Sequence, residues 1–280
     1  MVRPPLAYAV LRPARSAGAL VLALFMASSL CGFAAFRWGW PGAESEVANE
    51  EEYRLRNPSI DSLTVEPRIK HWRKIDGIPA EIAQFETVFW EPDDTNSLRT
   101  WLKESERVQG ATVLEIGTGT GLISLLSRQS GAARVVATDI NALAVACARY
   151  NIDHLGLDGI EVRQVEIDQP GPFAVVGDDE LFDLIISNPP WEDAPVNEPA
   201  AYALYDPSFA LLDALMSQAR QHLNPGGRLL LVYGAKTPIE RVYSQSAQHG
   251  WTVTTTDPRS LDDLPEVFLP GLLLELSPNE

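Results

Sequence analysis

Cysteine is almost absent from this chain, with only Cys31 and Cys147 in 280 residues. One lies in an apolar run and the other in a helical pattern, so neither a disulfide framework nor a zinc site can be built from them. Histidine is scarce as well. His71, His154, His222 and His249 are its four positions; the first falls in an irregular stretch and the others on expected helices or helix ends. That scatter leaves no metal cluster and no nucleophilic triad. Positive charge is the third shortage. With 22 Lys and Arg against 38 Asp and Glu, the net charge is −16 and the pI about 4.6, a balance that argues against broad electrostatic binding of nucleic acid.

One stretch lacks charge altogether. Residues 17–36 (AGALVLALFMASSLCGFAAF) contain no acid or base, and about 20 helical residues at about 1.5 Å each span the roughly 30 Å hydrocarbon layer. Arg3, Arg12 and Arg15 precede it, and Arg37, Trp38 and Trp40 follow it. The expectation is a membrane-anchored, single-pass chain held by an N-terminal transmembrane helix. A cleaved targeting sequence is the alternative, because no acid occurs before Glu44 and Gly32-Phe33-Ala34 is a small-x-small cleavage context. The chain then divides into a basic segment 1–16, the apolar segment 17–36, an acidic linker 37–57, a preamble 58–110 and a ligand-binding domain 111–280. The preamble ends in an amphipathic helix over 95–108, with Asn96 as its cap.

Within 111–280, apolar runs and helical patterns alternate. The run 112–116 reads as a buried strand, and Gly117-Thr118-Gly119-Thr120-Gly121 after it lets the backbone turn sharply and approach a ligand. Leu122 stands where the last glycine of a dinucleotide fingerprint belongs, which makes a pyrophosphate-binding nicotinamide site the weaker reading. A second strand, 134–138, ends at Asp139, placed to accept hydrogen bonds from both ribose hydroxyls of an adenosine. A helix over 142–154, strands over 160–165 and 181–187, a helix over 209–223, a strand over 228–233, a helix over 238–249 and strands over 251–256 and 267–276 complete the pattern. This predicts an α/β fold: a doubly wound, mostly parallel seven-stranded sheet, Rossmann-like, with helices on both faces and ligands at the carboxyl ends of the strands. Ser187-Asn188-Pro189-Pro190-Trp191, at the tip of the strand 181–187, adds a rigid loop of acceptors and a flat ring on that edge.

These residues resemble the class I S-adenosylmethionine-dependent methyltransferases and, more narrowly, the release-factor glutamine methyltransferase family and its relatives with an Asn-Pro-Pro-aromatic motif. The resemblance extends over roughly 85–276. Residues 88–95 (VFWEPDDT) are similar to the segment that precedes the family's cofactor strand, and 113–121 to its glycine motif. Thr138-Asp139-Ile140 resembles its ribose-binding triplet, Ser187 to Trp191 its active-site motif, and 223–231 the approach to its fifth strand. Trp191 stands where the family usually has tyrosine, and Tyr205-Asp206-Pro207-Ser208 replaces a glycine-rich turn.

The resemblance implies S-adenosylmethionine as cofactor, held by Glu115, Gly117, Thr118, Gly119, Gly121, Asp139, Ile140, Asp168 and Asn188. Glu115 fits a buried structural acid and a partner for the methionine ammonium equally well. Asn188, Pro189, Pro190 and Trp191 are the expected catalytic residues. The Asn188 side-chain oxygen and the Pro189 carbonyl would accept both N–H bonds of a planar amino group, while Trp191 stacks on it. The expected partner is a protein substrate with a glutamine-containing loop, with no metal. A nucleobase amine of RNA or DNA is the alternative acceptor, disfavoured by charge, and a non-catalytic cofactor-binding membrane protein is the alternative class. Since the cofactor is made in the cytosol, the catalytic domain is expected to face it, although the leading arginines taken alone would orient the chain the other way.

Overall fold

The computed structural model describes residues 67–279. Its first elements are a small antiparallel hairpin, β1 (Ile69–Arg73) and β2 (Ile82–Phe85), followed by α1 (Asn96–Glu104). The main sheet then begins with β3 (Thr112–Ile116), α2 (Leu122–Gln129), β4 (Arg134–Asp139), α3 (Ala142–Leu155) and β5 (Ile160–Gln164). It continues with β6 (Phe182–Ser187), α4 (Ala210–Gln218), β7 (Leu223–Ala235), α5 (Lys236–Ser246), β8 (Trp251–Thr254) and β9 (Val267–Pro278).

The seven strands lie in the order β5-β4-β3-β6-β7-β9-β8. All neighbours from β5 to β7 pair in parallel, and β9 runs antiparallel to both β7 and β8. The sheet is thus the expected one. The chain winds outward from β3 through β4 to β5, then returns to β3's other side to lay down β6 and β7. That reversal opens a crevice between the carboxyl ends of β3 and β6, where ligands of open α/β sheets bind. In β3, Val113 to Ile116 are all buried, as a strand covered on both faces requires. A continuous core joins Leu114, Ile185, Leu229 and Leu231 of the sheet to Leu212, Leu215, Met216, Ile239 and Val242 of α4 and α5.

The hairpin was not foreseen, and a fully buried amide fastens it. Asn151 of α3 accepts from Ala83 N at 2.7 Å and donates to Ala83 O at 2.8 Å and Thr120 O at 2.9 Å. One side chain therefore links β2, α3 and the loop before α2. The lone described cysteine, Cys147, is one turn away and fully buried; burial pushes its thiol up to about 12, which makes it inert.

Several boundaries differ from expectation for local reasons. The helix expected over 95–108 stops at Glu104, because Ser105 is extended (φ −84°, ψ 124°) and its hydroxyl starts a separate short turn by accepting from Arg107 N. Thr95, not Asn96, holds the cap position. The helix expected over 209–223 ends at Gln218, and Asn224 to Gly227 lie within β7 instead of breaking before it.

The expectation of a membrane-anchored chain is corrected. Among the described residues no helix is long and apolar enough to cross a membrane: α3, the longest at 14 residues, reaches only about 21 Å of the roughly 30 Å required. Segment 17–36, which carried that expectation and its cleaved alternative, lies outside the described residues.

Candidate active site

Backbone amides build the first half of the crevice. Gly117 N and Thr118 N both donate to Thr138 O, at 2.9 and 3.0 Å, binding the glycine turn to the end of β4. Gly117 and Gly119 hold φ of +81° and +55°, and a Cβ on either would meet nothing within 4 Å. Both glycines thus satisfy a left-handed turn and face open space where a ligand can approach. Gly121 has a different task. A Cβ there would lie 3.2 Å from the Ala148 Cα and Cβ, so its role is to let α2 approach α3, and it does not line the crevice.

Asp139, at the tip of β4, accepts from Gly119 N through Oδ2 at 2.9 Å and from Asn141 N through Oδ1 at 2.8 Å. Burial pushes its carboxyl above the ordinary range, and the amides of Gly119, Asn141 and Ile140 oppose that shift. Each oxygen retains lone-pair capacity for a ribose hydroxyl. Asn141 caps α3, accepting from Leu143 N at 3.0 Å. Glu115 is buried beneath the turn and accepts from the hydroxyls of Thr118, at 2.8 Å, and Ser124. Burial pushes it up to about 7 against those hydrogen bonds.

The second half follows β6. Ser187 Oγ donates to Ile116 O at 2.8 Å, locking the tip of β6 to β3, and Asn188, Pro189 and Pro190 line the crevice directly after it. Asn188 Oδ1 is buried and has no hydrogen-bond partner among the described residues. The halves enclose a cavity of about 390 Å³, within the size range that takes a drug-sized ligand. Phe89, Trp90, Pro92, Tyr202, Tyr205 and Asp206 are among its lining residues, and among the described residues no Lys, Arg or His lines it.

Nine of the expected site residues, Glu115, Gly117, Thr118, Gly119, Asp139, Ile140, Asn188, Pro189 and Pro190, line this cavity. Trp191, Asp168 and Gly121 do not. Trp191 is half-buried against the core, its ring lying over Gly234, where a Cβ would have no room. Asp168 is exposed, and Pro170-Gly171-Pro172 occupies the wall in its place.

The segment between Trp191 and α4 was missed as a functional element. Ser208 and Phe209 both hold left-handed φ, 58° and 56°, at about 1–2 kcal/mol per residue. They are kept there by Ser208 N donating to Asp193 Oδ1 at 2.7 Å and by Asp206, whose carboxylate accepts from Leu211 N and Leu212 N at 2.9 and 3.0 Å. Asp206-Pro207-Ser208 before an apolar run is a helix-start pattern that points to the capping role. Nothing local points to its place in the cavity.

S-adenosylmethionine fits this site. The open glycine cradle and the Asp139 lone pairs suit the nucleoside, and the Glu115 carboxyl lines the same cavity. The methyltransferase small domain family matches residues 93–257. A release factor glutamine methyltransferase from Cereibacter sphaeroides is 42% identical over 139 residues, which cover 45% of this chain and 47% of that protein. A ribosomal RNA small subunit methyltransferase C from Actinobacillus pleuropneumoniae is 31% identical over 147 residues, covering 52% of this chain and 39% of that one. The chain therefore matches less than half the length of these relatives. Among solved structures, a ribosomal protein L11 methylase from Lactobacillus delbrueckii subsp. bulgaricus shares the fold with a TM-score of 0.50 at 21% identity, over 69% of this chain and 82% of that one. A methyltransferase from Pyrococcus furiosus does so with a TM-score of 0.50 at 19% identity, over 82% and 98%. With the match to 93–257 spanning more than half of the 280 residues, the chain belongs to the methyltransferase small domain family, and its cofactor is S-adenosylmethionine.

Proposed function

We propose that this methyltransferase modifies the nitrogen of a planar amide, and that the acceptor is a glutamine side chain of a protein. One observation carries the reading: Asn188 lines the cavity, and its buried Oδ1 has no hydrogen-bond partner among the described residues. A buried acceptor left unpaired costs about 1–3 kcal/mol, and an N–H from a bound substrate recovers it.

The cofactor, when bound, supplies a methyl carbon activated by a sulfonium. The difficulty is then the nucleophile, because an amide nitrogen delocalises its lone pair into the carbonyl. Asn188 Oδ1 and the Pro189 carbonyl would accept its N–H bonds and favour a pyramidal nitrogen whose lone pair is free. The same acceptors stabilise the positive charge that grows on nitrogen as the new bond forms. Pro189 and Pro190 fix the backbone that aims them. The aromatic walls exclude water and align the planar group.

The absence of Lys, Arg and His from the lining supports a protein acceptor, since phosphate contacts dominate nucleic-acid affinity. A nucleobase amine is the second reading, favoured by the relative named for ribosomal RNA; the same two acceptors would hold its NH₂. Incubating the full-length protein with isotopically labelled methyl donor and a cell lysate tests the choice. Label that disappears with protease and survives nuclease is expected; the reverse would overturn the protein reading.

A further inference from the structure

The shortage of positive charge is not evenly spread. Residues 68–74 (RIKHWRK) hold four of the chain's 22 Lys and Arg and no acid. They span β1, whose one strand neighbour among the described residues is β2. Lys70, His71 and Lys74 are exposed, and Ile69 and Trp72 beside them keep 40% and 39% of their surface in water. Lysine on an edge strand serves by itself to prevent unwanted strand pairing. An indole and an isoleucine left at the surface among the cations work against that task, whereas apolar anchors rimmed by charge are what a docking surface presents.

This strip adjoins the cavity. Arg73, the last residue of β1, donates from Nε and Nη2 to Gln84 Oε1 at 3.0 and 2.6 Å, and its guanidinium lies over the Trp90 ring, 5.4 Å from the centroid. Gln84 Nε2 in turn donates to Val88 O at 2.9 Å. One chain of contacts thus ties the strand to the segment whose Phe89 and Trp90 line the cavity. Trp72 packs on His154 of α3, with ring centroids 5.2 Å apart, a support that leaves much of the indole uncovered.

We propose that β1 is the docking strip for the acceptor protein and that it binds an acidic segment near the methylated glutamine. This rests on the protein reading of the acceptor and names the chemistry by which that protein is recognised. Charge complementarity selects the occupant: on a chain at −16, the strip is where an anionic segment is attracted instead of repelled. A strand edge suits an extended peptide, whose main chain pairs with it while carboxylates meet Lys70 and Lys74 and an apolar side chain meets Trp72. A nucleic acid is the less suited polyanion, because its phosphates continue past the reacting base and among the described residues no Lys, Arg or His lines the cavity to receive them. β1 is five residues long, about 16 Å, and the acidic residues of the acceptor are expected within roughly that distance of the methylated side chain.

Fluorescence anisotropy of a labelled oligoglutamate peptide on the full-length protein tests the strip without any methyl transfer. Binding is expected in the wild type and about fivefold weaker in Lys70→Glu and in Trp72→Ala. It is expected to be unaltered in Arg107→Glu, the same charge change at an exposed arginine beside Ala111 and Asp183, at the amino ends of β3 and β6. No binding by the wild type overturns the proposal, as does an equal loss in Arg107→Glu, which would make the effect one of bulk charge. Oligouridylate that binds more tightly than oligoglutamate, and loses that affinity in Lys70→Glu, overturns the peptide as occupant. In methyl transfer to lysate protein, the double variant Lys70→Glu/Lys74→Glu is expected to raise the apparent KM about tenfold with kcat and cofactor affinity unchanged, since it removes docking and leaves the reacting groups in place. Protease-sensitive label with an unchanged KM would overturn the strip alone, whereas label that survives protease would overturn the protein reading and this assignment with it.

Discussion

At the tips of β3 and β4 each carboxylate is already held by the protein, Asp139 by the amides of Gly119 and Asn141 and Glu115 by the hydroxyls of Thr118 and Ser124. Past the tip of β6 the opposite holds: Asn188 Oδ1 is buried and unpartnered, and the adjoining strap carries consecutive left-handed residues at Ser208 and Phe209. The proposed cofactor half is complete before anything binds, whereas the proposed acceptor half keeps a buried oxygen without a partner among the described residues. That division suits an enzyme that spends binding energy at the reacting nitrogen, where it lowers the barrier, more than on the cofactor.

The comparison breaks first at Asn188. Asn188→Ala is expected to reduce turnover about 10²- to 10³-fold, as loss of a preorganised polar group does, with cofactor affinity within a few-fold. If calorimetry shows a matching loss of cofactor affinity, the two halves are not separable. Asp139→Ala should do the reverse, weakening cofactor binding by about 1.5–3 kcal/mol, the scale of hydrogen bonds to a charged group. Unchanged affinity in that variant would remove Asp139 from the ribose site.

The next test uses pH. Glu115 is raised from 4.5 to about 7 in the folded state, so between those values the native protein holds a proton that the unfolded chain has released. Stability from this group is therefore fully present below 4.5 and lost as pH rises through 7. The slope is at most about 1.4 kcal/mol per pH unit. Denaturant melts of Glu115→Gln should show a flatter decline over that window, and an unchanged slope would show that Glu115 is not protonated there. The smallest effect belongs to Trp191. Because its ring covers Gly234 and does not line the cavity, Trp191→Phe should change kcat by less than about threefold, roughly 0.7 kcal/mol. A larger fall, with unaltered melting, would restore it as the wall on which the substrate stacks.

The cofactor half was legible in the sequence because its chemistry is local. Gly117 and Gly119 follow, and Asp139 ends, a strand that announces itself by apolar run and length, and parallel pairing brings those strand tips to one edge. Asn188 was legible for the same reason. What lay hidden depends on partners far along the chain. The Asp94 main chain lies beside β9 only because Gly271 admits it, and Trp191 lies over the core because Gly234 leaves room for the ring. Asp168 follows β5 in sequence, but the chain turns so that Pro170-Gly171-Pro172 faces the cavity. The hairpin of β1 and β2 escaped notice because its anchor, Asn151, is a polar residue within a helix whose role appears only once the buried main chain of Ala83 is beside it.

Tandem mass spectrometry of the methylated acceptor tests the central claim most directly, because a clamp of two acceptors is needed only where a nitrogen lone pair is delocalised. The account predicts the methyl group on the side-chain nitrogen of a glutamine in a protein. Methyl found on a lysine amine or a carboxylate oxygen would contradict the clamp chemistry itself, and methyl on a nucleobase amine would keep the clamp and overturn the protein acceptor.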